Sequence, residues 1–196
     1  VKNGKVNNET KEITWTVDVN YNQLELMNAR LIDEIDDNQS LVVGSVKVYE
    51  TTIARNGHIQ VGKDVTEQFQ DEITTTENLV EVTFGAIDQS YRVEFITVDK
   101  DGIYNAGEVY ENTAQFIPRE NEVHDLYANV TLPNQGAFID KKGLHNRTDW
   151  TVDWTVDVNA SKSQLTDVTV TDDLGSTDFH ILLEDSIEVT QVDSTE

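Results

Sequence analysis

Ile13-Thr14-Trp15-Thr16-Val17-Asp18-Val19-Asn20 alternates apolar and polar residues with period two. Successive side chains of a β-strand point to opposite faces, so Ile13, Trp15, Val17 and Val19 share one face and the polar residues share the other. Trp15 to Asn20 then returns unchanged as Trp154-Thr155-Val156-Asp157-Val158-Asn159, an offset of 139. The same offset carries Lys2 onto Lys141, Gly4 onto Gly143, Asn7 onto Asn146 and Asp33 onto Asp172. After a shift of two more residues, Ser45-Val46-Lys47-Val48 falls on Ser186-Ile187-Glu188-Val189. Coincidence between β-rich strands could account for Thr-Val-Asp-Val, but not for the flanking Lys, Gly and Asp in the same order.

So long a period makes each unit a whole domain rather than a solenoid turn. The expected organisation is a complete β-sandwich repeat over residues 1–135, followed by the N-terminal part of a second, truncated repeat over residues 136–196. Pro133-Asn134-Gln135-Gly136 reads as the turn or hinge between them. Further strands are expected at Ser45 to Thr52, Leu79 to Phe84, Tyr91 to Phe95, Tyr110 to Phe116 and Leu126 to Leu132. Asn56-Gly57 reads as a type I′ hairpin turn and Asp101-Gly102 as a second turn. A short helical turn is expected around Val65 to Phe69. Short strands at this spacing predict an all-β protein built as a β-sandwich.

Composition narrows the function. The 196 residues hold 14 basic and 37 acidic side chains, a net charge of −23. Such a chain repels nucleic acid and anionic membranes, because phosphate contacts need clustered Lys and Arg. High charge can also signal disorder, but the clean alternation and the aromatic residues Trp15, Trp150, Trp154, Phe84, Phe95 and Tyr91 supply core material. There is no cysteine, which excludes disulfides, thiolate metal sites and a cysteine nucleophile. No apolar run approaches the roughly 20 residues of a membrane helix. Val1 opens without a signal peptide, so the chain reads as an excised piece whose export signal or anchor would lie outside it.

Enzyme chemistry finds little footing. His58, His124, His145 and His180 are scattered, with no metal-ligand spacing between them. No nucleophile elbow, zinc-protease or phosphate-loop motif occurs. Abundant carboxylates do not mark a glycosidase pair. The expectation is a non-enzymatic protein with no cofactor and no metal. One minority reading is calcium at Asp99-Lys100-Asp101-Gly102, which has the opening of some calcium loops but lacks their later acidic ligands. Four glycosylation sequons, at Asn8, Asn129, Asn146 and Asn159, read as incidental in an Asn- and Thr-rich chain.

Four short motifs occur in order: Lys2-Asn3-Gly4, Trp15-Thr16-Val17-Asp18-Val19-Asn20, Leu31-Ile32-Asp33 and Tyr110-Glu111-Asn112-Thr113-Ala114. This ordered set resembles the modular domains of Gram-positive wall-anchored adhesins and pilins, specifically the collagen-adhesin-like immunoglobulin-type sandwiches. The resemblance covers the first copy and the truncated second. It implies immunoglobulin-like β-sandwich modules in tandem, on an extracellular, cell-wall-anchored protein. Its implied partners are neighbouring repeats of the same chain and a host matrix protein or glycan.

The resemblance also implies an intramolecular isopeptide bond, with Lys2 as nucleophile, Asn112 as acceptor and Asp33 as the assisting acid. Burial removes the proton from a lysine and keeps one on an aspartic acid, since desolvation disfavours both charged forms. Lys5 is a rival nucleophile, but it maps onto Leu144, whereas Lys2 maps onto Lys141. The second-copy equivalents are Lys141 and Asp172, with no Asn equivalent reached before the sequence stops. Taken singly, each residue reads as an ordinary surface or edge group; the three together point to the bond.

Overall fold

The computed structural model describes residues 1–105, 107–133, 138–175 and 181–192. It divides into a unit spanning Val1–Gln164 and a second spanning Leu165–Glu196. Among the described residues, thirteen strands follow in chain order: β1 (Lys2–Val6), β2 (Ile13–Val19), β3 (Leu26–Ile35), β4 (Gln39–Leu41), β5 (Lys47–Ile53), β6 (Ile59–Asp64), β7 (Ile73–Thr76), β8 (Leu79–Ile87), β9 (Ser90–Asp99), β10 (Val109–Arg119), β11 (Glu122–Thr131), β12 (Ile139–Asn146) and β13 (Thr151–Val158). A 3-10 helix, Thr66–Glu72, precedes β7 and buries Phe69.

Two antiparallel sheets form the sandwich. One has the order β1-β2-β9-β5-β6, with β4 also pairing β9; the other runs β11-β10-β3-β8-β7. The alternation of β2 decides its place. Ile13, Trp15, Val17 and Val19 are all at most 2% exposed, and they meet Leu31, Val80, Val82, Val93 and Phe95 in one core. Phe69, Phe84 and Tyr91 close one part of it, with ring centroids 5.4–5.6 Å apart, a spacing favourable for aromatic pairs.

Trp15 is buried along with its polar edge. Its Nε1 donates to Thr97 Oγ1 at 2.9 Å and to Gln39 Oε1 at 3.2 Å. Gln39 Nε2 in turn donates to the Glu111 carbonyl at 2.8 Å, which ties β4 to β10. A buried indole N–H left unpaired would cost about 1–3 kcal/mol.

The expected strands are present, and the helical turn is 3-10 in type. The turn at Asn56-Gly57 differs from the type I′ expectation. Gly57 has φ +82°, while Asn56 stays out of the left-handed region. Gly57 N donates to Ala54 O and Ala54 N to His58 O, so the loop has three residues and ends on glycine. The expectation that Trp150 and Trp154 supply core is also corrected, since they are 81% and 51% exposed. They sit on or beside the β12–β13 hairpin, whose apolar face has no second sheet over it among the described residues. The expected hinge falls largely on residues 134–136, outside the described residues, as does His180.

The hairpin reproduces the opening of the sandwich in register as well as in sequence. Lys2 pairs with Val17 and Gly4 with Trp15; Lys141 pairs with Val156 and Gly143 with Trp154. Both glycines lie flat against the paired tryptophan ring. A Cβ on Gly4 would lie 2.5 Å from the Trp15 ring, and one on Gly143 would lie 2.6 Å from the Trp154 ring. In the Leu165–Glu196 unit, a 3-10 turn spans Glu184–Ser186, and no strand occurs among the described residues.

Candidate cross-linking site

Three strands from two sheets deliver the site. β1 is the edge strand of one sheet, and its pleat turns Lys2 inward while Lys5 stays exposed. β3 and β10 are hydrogen-bonded neighbours in the other sheet, with Ala114 opposite Asp33 and Asn112 opposite Ile35. Asp33 and Asn112 both face the interior, at 0% exposure. The Lys2 side chain is also fully buried and its ammonium donates to Asp33 Oδ2. Lys2 Nζ lies 5.7 Å from the Trp15 ring centroid and 5.4 Å from that of Phe95, within reach of both ring faces.

The electrostatics follow from burial. Desolvation lowers the Lys2 pKa against the opposing pull of Asp33. Desolvation also pushes Asp33 up to about 6, although Lys2 and Asn112 both pull it down. Each group therefore inclines towards its neutral form in the same cavity. Buried charges that are not fully hydrogen-bonded are expensive, and this pair is incompletely satisfied. Asp33 Oδ1 and both amide atoms of Asn112 are buried without a hydrogen-bond partner. Asn112 is near enough to affect the Asp33 carboxyl, yet no bond of ordinary geometry joins them. Orphaned buried amide atoms are rare in folded proteins.

The second-copy residues are placed differently. Lys141 is exposed on β12, with Nζ 4.4 Å from the Trp154 ring centroid. Asp172 is exposed in the Leu165–Glu196 unit. Asp99, the centre of the calcium reading, has its oxygens engaged by the protein itself. Oδ1 accepts from Asp101 N and Ile103 N, and Oδ2 accepts from Tyr110 Oη at 2.7 Å. The acidic depression around Glu34, Asp36, Asp37 and Asn78 is open. There, partial desolvation followed by Glu111 and Asp37 raises the Asp36 pKa. Among the described residues, no helix is long and apolar enough to cross a membrane.

A six-on-five antiparallel sandwich enclosing Lys2, Asp33 and Asn112 is an immunoglobulin-like β-sandwich module. The chain belongs to the collagen binding domain family, which it matches twice, over residues 1–123 and 136–196. No curated protein matches it in sequence.

Among solved structures, it is similar to the collagen-binding subdomain ACE19 of the Enterococcus faecalis surface protein ACE. Identity is 16% with a TM-score of 0.48, covering 68% of this chain and 95% of that one. It is also similar to the collagen adhesin CNA of S. aureus, at 13% identity and a TM-score of 0.50, covering 81% of this chain and 51% of that one. For BcpA, the major pilin subunit of Bacillus cereus, the figures are 14% and 0.48, with 78% and 45% covered. The chain thus spans about half the length of the last two. At these identities the likeness is one of fold.

Proposed function

We propose that the chain is a non-enzymatic structural and adhesive module of a bacterial cell-surface protein, stabilised by an amide bond that it forms between Lys2 and Asn112. The observation that carries this reading is the buried amide of Asn112, unpaired at both atoms, in the cavity that holds the Lys2–Asp33 pair.

The chemistry balances without a cofactor. Neutral Lys2 Nζ attacks Asn112 Cγ, while protonated Asp33 donates to Asn112 Oδ1 and makes that carbon more electrophilic. Asp33 then relays a proton from Nζ to Nδ2, the Cγ–Nδ2 bond breaks, and ammonia leaves. A new Nζ–Cγ amide remains. Burial of Nζ among the Trp15 and Phe95 rings strips it of water, and this desolvation favours the neutral amine. Lys5, exposed on the opposite face of β1, has no such environment.

Intact-mass spectrometry tests the bond. The purified chain is expected to be lighter than its sequence mass by one ammonia, with Lys2→Ala restoring the full mass. An unmodified wild-type mass would refute the bond.

Family membership supports a second property, recognition of a host matrix protein such as collagen. Saturable binding to immobilised collagen, absent on an unrelated matrix protein, is the expected result. On this proposal the parent protein is extracellular and anchored to the cell wall.

A further inference from the structure

The turn that follows the repeated strand is itself repeated, and its two copies have different surroundings. In the first copy Asn20 has φ +50°; its Oδ1 accepts from Leu24 N at 3.0 Å and its Nδ2 donates to Leu24 O at 2.9 Å. In the second, Asn159 has φ +57°, and the same two bonds run to Ser163 at 3.0 and 2.9 Å. Gln23 N donates to Asn20 O and Lys162 N to Asn159 O, both at 2.9 Å. The side chains displayed by this shared frame then diverge. Asn22 and Leu24 are exposed in the first copy, Leu24 by 51%. Their counterparts Ser161 and Ser163 are 1% and 5% exposed.

The loop between β9 and β10 bonds to Ser163 and to its neighbour Gln164. Tyr104 N donates to Ser163 Oγ at 3.0 Å, and Gln164 N donates to Gly102 O at 2.9 Å. Ser161 Oγ and Ser163 Oγ are 3.0 Å apart, and Ser161 Oγ also donates to Asn159 Oδ1 at 3.3 Å. Gly102 has φ +67°, and a Cβ there would lie 3.1–3.2 Å from the Gln164 side chain. Glycine at this position thus permits both the turn and the close approach. Small hydroxyls replace Asn22 and Leu24 where contact is made, which suits a docked surface rather than a solvated one.

We propose that Asn159–Gln164 is a docking element by which the opening hairpin of one repeat locks onto the Gly102–Tyr104 loop of the repeat before it. The partner of that loop is thus the Asn-centred turn of the next module, held through two backbone amides, one donating to the Ser163 hydroxyl and one to the Gly102 carbonyl. The joint is independent of the Lys2–Asn112 bond, since none of its atoms belongs to that site. One charge opposes it. Lys162 lies close enough to the buried Lys11 to lower its pKa, second to burial itself.

The absence of cysteine allows clean double spin labelling of the whole chain at Thr83, on the sandwich, and Asp153, on the hairpin. A narrow inter-label distance distribution is expected in wild type and a broad one in Gln164→Pro, which removes one amide donor. Equal widths in the two proteins overturn the proposal. Lys162→Glu supplies a variant that leaves the turn's backbone chemistry intact. It is expected to slow hydrogen exchange at the Tyr104 and Gln164 amides by roughly twofold to fivefold, the range of an ion pair with one partner in solvent. Unchanged or faster exchange at both amides overturns it.

Discussion

Lys2, Asp33 and Asn112 are ordinary polar residues made unusual by the absence of water. Asp33 is pushed up to about 6 in the folded protein, from an ordinary 3.8, with burial as the first cause. A carboxyl whose folded pKa exceeds its unfolded value holds its proton more tightly when folded. Its contribution to stability is fully present below the unfolded value and is lost as pH rises through the folded one. Lys2→Met isolates this behaviour, because it removes the nucleophile and the ion-pair partner while filling similar volume. That variant is expected to be less stable near about pH 8 than near about pH 4, by on the order of 3 kcal/mol. Urea unfolding at the two pH values measures it, and Lys2→Met with Asp33→Asn should erase the difference. The identities of the three residues were legible in the sequence through the repeat register and the family motifs. Their meeting was implied by the family resemblance alone and by no pattern in the residues, because it depends on sheet order: β1 lies in one sheet, and β3 and β10 in the other.

At the scale of elements, the same Gly–Trp pairing is used twice in different surroundings. A Cβ on Gly4 would meet Trp15 at 2.5 Å and Val130 at 2.6 Å, and Trp15 is fully buried with no room to yield. A Cβ on Gly143 would meet Trp154 at 2.6 Å, but that ring is half exposed and can swing away. Gly4→Ala is therefore expected to destabilise the sandwich by about 1–3 kcal/mol, the usual cost of overpacking. Gly143→Ala should cost about 0.5 kcal/mol or less, as a substitution at a yielding surface does. Chemical denaturation followed by Trp fluorescence compares the two. Alternation disclosed β2 and β9 because each buries one face throughout its length, and β8 as far as Phe84, before its phase breaks at Gly85. It did not disclose β6 or β7, whose residues are nearly all exposed or half-buried. Nor does any apolar pattern mark β1, since its inward positions are occupied by Lys2 and Gly4.

For the whole molecule, the proposed amide would staple the two sheets and close a loop of about a hundred residues. On the entropic account such a closure stabilises by about 4–5 kcal/mol. For a chain of this length that corresponds to roughly 10–20 °C in Tm. Asn112→Ala separates the bond from its surroundings, because it leaves the Lys2–Asp33 pair in place. Without a cross-link, the substitution removes two buried polar atoms that have no partner, a change that offsets much of the small cavity it creates. The large drop in Tm should therefore appear in the otherwise wild-type chain. In a Lys2→Met background, where no bond can form, the same substitution should shift Tm by only about 2–4 °C. Calorimetry on the four proteins of this cycle measures the coupling directly. Equal drops in both backgrounds would assign the effect to packing and remove the bond as the source of stability.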